Sequence, residues 1–141
     1  MPALSYRPMP IGLINALLIA AGGAAGALAR YAVTGPILGK LDHRFPFGVL
    51  AVNLVGCFFI GVVLFMYLQR GETDDKLRLV LVAGFLGSFT TFSAFGMDTF
   101  ELFKDGSPGL AIANILTNVI LGIALAALGW YVGRWMMGAG A

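Results

Sequence analysis

The sequence predicts an all-α membrane protein with four transmembrane helices, and three observations carry that reading. The chain of 141 residues holds only nine Lys or Arg and seven Asp or Glu, 11% charged residues, against roughly a quarter in an ordinary soluble domain. Apolar residues make up 59% and the mean hydropathy is +0.89, so a soluble globule of this size would lack the polar side chains to cover its surface. The charges also cluster, leaving charge-free tracts at Ile11–Ala29, Phe45–Gln69, Leu79–Met97 and Gly106–Gly133, of 19, 25, 19 and 28 residues. Each approaches or exceeds the ~20 residues that a helix needs to cross a ~30 Å hydrocarbon core. The expected spans are 11–32, 47–69, 79–103 and 109–134, in a single transmembrane domain of residues 1–141 with short connections and no room for an extramembrane domain.

The first span carries Gly22, Gly26 and Arg30 at four-residue spacing, which puts two small residues and a cation on one helix face. Gly22 and Gly26 form a small-xxx-small pattern, read first as close helix packing. Arg30 sits at the end of the span, where a long cationic side chain reaches the interface or draws anions to an opening; the sequence does not separate these roles. Ala27-Leu28-Ala29 has the form of a signal-peptide cleavage site. The tract is longer than the ~7–15 residues of such a segment, only Arg7 precedes it and further spans follow, so a membrane helix is the better reading.

Gly35, Pro36, Gly39 and Phe45-Pro46-Phe47-Gly48 mark a connection into the second span. Asn53 is its only strongly polar residue before Gln69, and it must face protein or water, as glue between helices or as part of a pathway. Cys57 is the single cysteine and reads as a small packing residue.

The third span is unusual: residues 84–96 hold three glycines, two threonines, two serines and four phenylalanines. Glycines weaken a helix, and hydroxyls offer its backbone other partners, so a break at mid-membrane is expected. Non-helical backbone at that depth needs protein or a watery cavity, and its freed carbonyls can coordinate a cation. Phe85, Phe89, Phe92 and Phe95 recur at helical spacing and could form stripes. Packing is the ordinary meaning of such stripes; electropositive ring edges contacting a desolvated anion is the alternative.

The fourth span places Asn114, Thr117 and Asn118 on one face, a polar track that is either helix glue or the partner of Asn53 and the third-span hydroxyls. Gly122, Gly129 and Gly133 offer packing surfaces, and Trp130, Tyr131 and Trp135 suit a membrane boundary.

With four crossings, Lys and Arg divide five (Arg7, Arg70, Lys76, Arg78, Arg134) to four (Arg30, Lys40, Arg44, Lys104) between the two sides. So even a split gives little orientational preference, which predicts insertion both ways up and an antiparallel, dual-topology homodimer. The net charge of +2 and the lack of a basic cluster exclude nucleic acid as a partner. The first carboxylates around the third span are Asp98 and Glu101 near its end, which counts against a small proton-coupled multidrug-type exporter, the alternative by size. His43 lies between Asp42 and Arg44 in a connection and reads as a solvated surface residue. No phosphate-binding glycine motif and no nucleophile-base pair is present, so no enzyme is expected. An accessory subunit of a larger membrane complex is a third possibility.

The segments 22–31, 52–56 and above all Gly84-Phe85-Leu86-Gly87-Ser88-Phe89-Thr90-Thr91-Phe92-Ser93-Ala94-Phe95 resemble the Fluc fluoride channels, the CrcB family. The resemblance covers all the spans. It implies four-helix subunits in an antiparallel dual-topology homodimer, multi-pass in the cell (inner or plasma) membrane, with two fluoride pores and a central structural sodium ion (Na+). It also implies passive export, which protects the cell: hydrogen fluoride enters as a neutral acid, dissociates inside, and leaves a trapped anion that needs an exit. By motif, Gly87 and Thr90 match the backbone carbonyls that hold sodium. Phe92 and Phe95 match the pore-lining rings, Asn53 the asparagine that bonds fluoride or supports them, and Arg30 the vestibule arginine. Thr91 and Ser93 are the hydroxyls of the same motif, and Asn118 completes the expected fluoride pore. The fourth helix departs from the family pattern, with Asn114 and Asn118 in place of Ser or Tyr and Gly122 where another Ser can occur; Asp98 stands where a Glu can occur.

Overall fold

With so few polar side chains, the backbone must satisfy its own hydrogen bonds, and all regular structure among the described residues is helical. The computed structural model describes residues 12–38, 44–69 and 75–138. Arg7, Lys40 and Arg70 of the orientation count, as well as Gly39, Asp42 and His43, lie outside the described residues. Among the described residues four helices are long and apolar enough to cross a membrane: α1 (Leu13–Ile37), α2 (Phe47–Gln69), α3 (Lys76–Lys104) and α4 (Pro108–Met136). The shortest has 23 residues, so at ~1.5 Å per residue each exceeds a ~30 Å apolar core.

Only α2 is α-helical throughout. In α1 the α-helix of Leu13–Ala32 widens into a π-helical turn, Val33–Ile37, where Leu38 N donates to Val33 O at 2.9 Å. The wider turn absorbs Pro36, which has no N–H to place in the ladder, so the Gly35-Pro36 pair that reads as a turn lies at the helix end. A π-helical segment, Leu79–Leu86, also occupies the first half of α3, and another, Thr117–Leu121, the middle of α4.

Helix α3 stops on Gly106, whose φ of 72° suits a residue without a Cβ. Gly106 N donates to Phe103 O and Ser107 N to Leu102 O, at 3.1 and 2.9 Å, which closes the last turn as a Schellman motif. Pro108 then opens α4 at its first turn, where the missing N–H costs nothing.

Two tight pairings hold the helices together. Helix α1 lies against the first half of α3: a Cβ on Gly22 or Gly26 would run into the Val80 or Phe85 carbonyl, and one on Gly84 would stand 2.8 Å from Ile19 O. Helix α2 lies against the second half of α4. There Gly61 faces the Ala126 carbonyl, Gly129 faces Phe58 O, and the Phe65 and Trp130 rings meet edge-on at 5.0 Å. Gly22 and Gly26 thus serve close packing, as their spacing indicates. Few large apolar residues are enclosed; Leu13, Ile14, Leu17, Phe100, Ile120 and Ile123 are among the many exposed to the surroundings.

Candidate functional site

Helix α3 loses its helical path at Thr90 and Thr91, the fifteenth and sixteenth of its 29 residues. Both are extended, with φ/ψ of −84°/161° and −153°/119°. The first half ends at Phe89, and the second, Phe92–Lys104, restarts with Thr91 as its N-cap, Thr91 Oγ1 accepting from Ala94 N at 3.2 Å. A break releases backbone groups that need partners inside an apolar layer, and α2 supplies one. Asn53 Oδ1 accepts from Thr91 N at 2.8 Å and Asn53 Nδ2 donates to Thr91 O at 3.2 Å, so the amide grips Thr91 on both sides as a neighbouring strand would. Thr91 N is thereby turned away from Gly87 O, its helical acceptor. Thr90 stays tied to the first half, N and Oγ1 donating to Leu86 O at 3.1 and 3.0 Å. Its side chain fits because residue 56 is glycine: a Cβ there would collide with Thr90 Cγ2.

Arg30 is not simply solvated at the end of α1. Its Nη1 donates to Thr90 O at 3.2 Å, bringing a guanidinium onto the break. The break also divides the phenylalanines. Phe85 and Phe89 stack at 5.6 Å and 14° ahead of it, while Phe92 and Phe95 tilt together at 5.4 Å and 54° beyond it. A single stripe through Phe85, Phe89 and Phe92 requires unbroken helical phase, which Thr90 and Thr91 remove. Phe95 is 9% exposed and Phe92 83%, so Phe92 stands out from the surface of the chain.

Asn53, Gly87, Thr90, Thr91, Phe92, Phe95 and Asn118 all line one groove of about 390 Å³. Ser93 is joined to it by a 3.2 Å contact between its hydroxyl and Thr91 Oγ1, and Arg30 approaches through Thr90 O. In α4, Asn118 accepts from Asn53 Nδ2 at 3.0 Å, and Thr117 turns back onto its own helix, donating to Ala113 O at 2.7 Å. Asn114, 1% exposed, lies behind the groove and donates to Thr99 Oγ1 at 2.9 Å. Thr99 did not stand out in the sequence; the only signal was a hydroxyl four residues after Phe95 on the face that turns toward α4. A second cavity, of about 540 Å³, opens between the end of α1, the start of α2 and the α3–α4 turn, lined by Arg44, Asp98, Glu101 and Asp105. Its acidic wall suits an anion poorly.

Among the described residues no group of three or more His, Cys, Asp or Glu could hold a metal ion. The oxygens that remain for a cation are backbone carbonyls. Gly87 O has lost Thr91 N, and Thr90 O, with two lone pairs, gives one to Arg30. These are hard donors that fit sodium chemically, and one chain by itself supplies too few of them to enclose it.

The groove thus brings phenylalanine rings, amides and hydroxyls together at a broken helix, in a chain with clear relatives. The model of the family described as "CrcB-like protein, Camphor Resistance (CrcB)" matches residues 17–130. A Dehalococcoides mccartyi protein named fluoride-specific ion channel FluC is 43% identical over 117 residues, covering 83% of this chain and 90% of its own. Proteins of the same name from Rhizobium leguminosarum bv. trifolii and Magnetococcus marinus are 47% and 41% identical, covering 82% of this chain and 91% and 94% of theirs. With the match spanning all four helices, the groove included, this integral membrane protein belongs to the CrcB family.

Proposed function

We propose that the chain is a fluoride channel that lets the anion leave the cell passively across the inner or plasma membrane, as an antiparallel dual-topology homodimer. The observation that carries this reading is the broken α3, with Thr91 held by Asn53 and Phe92 and Phe95 beside it, in a chain whose relatives bear the name of a fluoride channel. A break midway along a 29-residue span lies near the middle of the bilayer. Conduction requires contacts strong enough to replace water and weak enough to release the ion. Ring edges meet the second demand and hydroxyls the first. Thr91 Oγ1 and Ser93 Oγ share one hydrogen bond, so whichever donates, the other keeps an O–H to offer. Asn53 keeps the break open and lines the path, and Arg30 adds positive potential beside it.

The homodimer is supported by the exposure of Phe92 and of apolar faces, which a second copy or lipid covers. Gly87 O and Thr90 O of two copies would hold the sodium ion. Bound there, sodium supplies a fixed positive charge between the subunits.

Purified protein in fluoride-loaded liposomes should release fluoride once a potassium ionophore relieves the electrical gradient, as an electrode reads. No electrogenic release would overturn the reading. For topology, a cysteine placed between Gln69 and Arg78 should label from both faces of the membrane; labelling from one face alone would leave only the channel part of the proposal.

A further inference from the structure

The hydrogen bonds around the groove form a directed chain whose far end is out of the anion's reach. Thr91 N can only donate, so the amide of Asn53 must turn Oδ1 toward it. Asn53 Nδ2 then faces Asn118, which must present Oδ1, at 3.0 Å. Both Nδ2 hydrogens of Asn118 therefore point at Asn114, one to its backbone O and one to its Oδ1, each at 3.0 Å. Asn114 is left with Nδ2 toward Thr99 Oγ1 at 2.9 Å, and the Thr99 hydroxyl donates to Phe95 O at 2.7 Å. One backbone N–H thus fixes the orientation of three amides and a hydroxyl in sequence. The chain begins at Thr91 and ends at Phe95, four residues apart in the segment that carries both groove-lining rings.

We propose that Asn114 is a positioning residue for fluoride permeation: without lining the groove, it locks the Asn118 amide, and through it the Asn53 grip on the break. Two features separate this from ordinary helix glue. The Nδ2 donors of Asn53 and of Asn118 are already spent, the first pair on Thr91 O and Asn118, the second on Asn114, so these amides serve as fixed scaffolding and leave an anion the one O–H that the Thr91–Ser93 pair keeps. In addition, the bonds from Thr91 N through the three amides to Phe95 O all run donor to acceptor in one direction, so each polarises the next and loss of one link loosens those before it. Without Asn114 Oδ1, the Asn118 amide keeps only one of its two bonds there, to the backbone O of residue 114, and is held less firmly against Asn53.

The inference rests on the fluoride-channel reading, and fluoride flux per folded dimer in liposomes tests both. Asn114→Leu keeps the side-chain shape and removes the amide; Asn114→Leu with Thr99→Val also removes the hydroxyl that loses its donor, so that one Asn118 N–H alone is left without its acceptor. Replacing both members of the Asn114–Thr99 pair by apolar groups of similar shape avoids leaving the hydroxyl unpaired, so the double variant should melt closer to the unaltered protein than Asn114→Leu does. Its flux should nonetheless fall tenfold or more, as should that of Asn114→Leu, and the Thr99→Val loss should add little to the Asn114→Leu loss. Flux restored along with stability in the double variant, or unaltered flux per folded dimer in Asn114→Leu, would show Asn114 to be structural only and overturn the proposal. An unaltered protein that itself conducts no fluoride would instead overturn the channel reading.

Discussion

Replacing Asn53 by leucine keeps the outline of the side chain, removes its amide, and so tests what holds the helix break open. Three hydrogen bonds disappear: from Thr91 N, to Thr91 O and to Asn118 Oδ1, at 2.8, 3.2 and 3.0 Å. Hydrogen bonds between membrane helices are worth about 0.6 kcal/mol on average and up to about 1.7, so the three together contribute roughly 2–5 kcal/mol. No φ at the break is positive, so these bonds rather than backbone strain decide the balance. Once freed, Thr91 N can return to Gly87 O and close the helix. At 1.4 kcal/mol per tenfold, the open form should lose about thirtyfold to several thousandfold in population relative to the closed one. Closing the helix would withdraw the Gly87 carbonyl and swing Phe92 and Phe95 away from their present directions. Fluoride release from liposomes holding Asn53→Leu should therefore fall at least about tenfold while the protein still extracts as a folded oligomer. Release at the unaltered rate would refute the argument, because it would mean that Asn53 is not what keeps α3 open.

Phe92→Ile and Phe95→Ile should each abolish flux with the oligomer intact by size-exclusion chromatography, since an aliphatic group has no electropositive edge to offer an anion. Normal flux in both variants would return the rings to packing. Gly129→Val should lower the melting temperature by a stability loss of about 1–3 kcal/mol, because its added atoms collide with the Phe58 carbonyl, which belongs to a helix backbone and cannot yield. Exhaustive exchange of sodium for a large organic cation should weaken the oligomer and reduce flux, measured by crosslinking and by electrode; no change in either would remove sodium from the proposal. Asp98→Asn with Glu101→Gln should still conduct, because neither carboxylate lines the groove of Asn53 and Phe95, whereas loss of transport would favour a proton-coupled exporter.

The four helices are legible in the sequence because crossing a membrane is a local property: about twenty residues without a charge suffice, whatever they pack against. The fault in α3 is legible for a related reason, since glycine and hydroxyl side chains weaken a helix wherever they are concentrated. The pairing of Gly22 with Gly26 as a contact face follows from spacing alone. Even the family is readable from the run between Gly84 and Phe95, which the comparisons bear out.

What these residues do to one another is decided by the tertiary structure. Asn53 reaches Thr91 across 38 positions, Asn118 across 65, and Arg30 reaches Thr90 across 60; such meetings depend on how α1, α2 and α4 sit around α3, which no periodicity encodes. The sequence put Asn114 and Asn118 on one face of a helix without telling that one lines the groove and the other lies behind it. It offered four phenylalanines in one phase, which two extended residues then divided into a stacked pair and a tilted pair. The scarcity of charge and the weak segment come from composition, and those the sequence determined by itself. The site comes from hydrogen bonds between distant amides and backbone, which can be strong only where packing has already excluded water, and packing belongs to the whole fold.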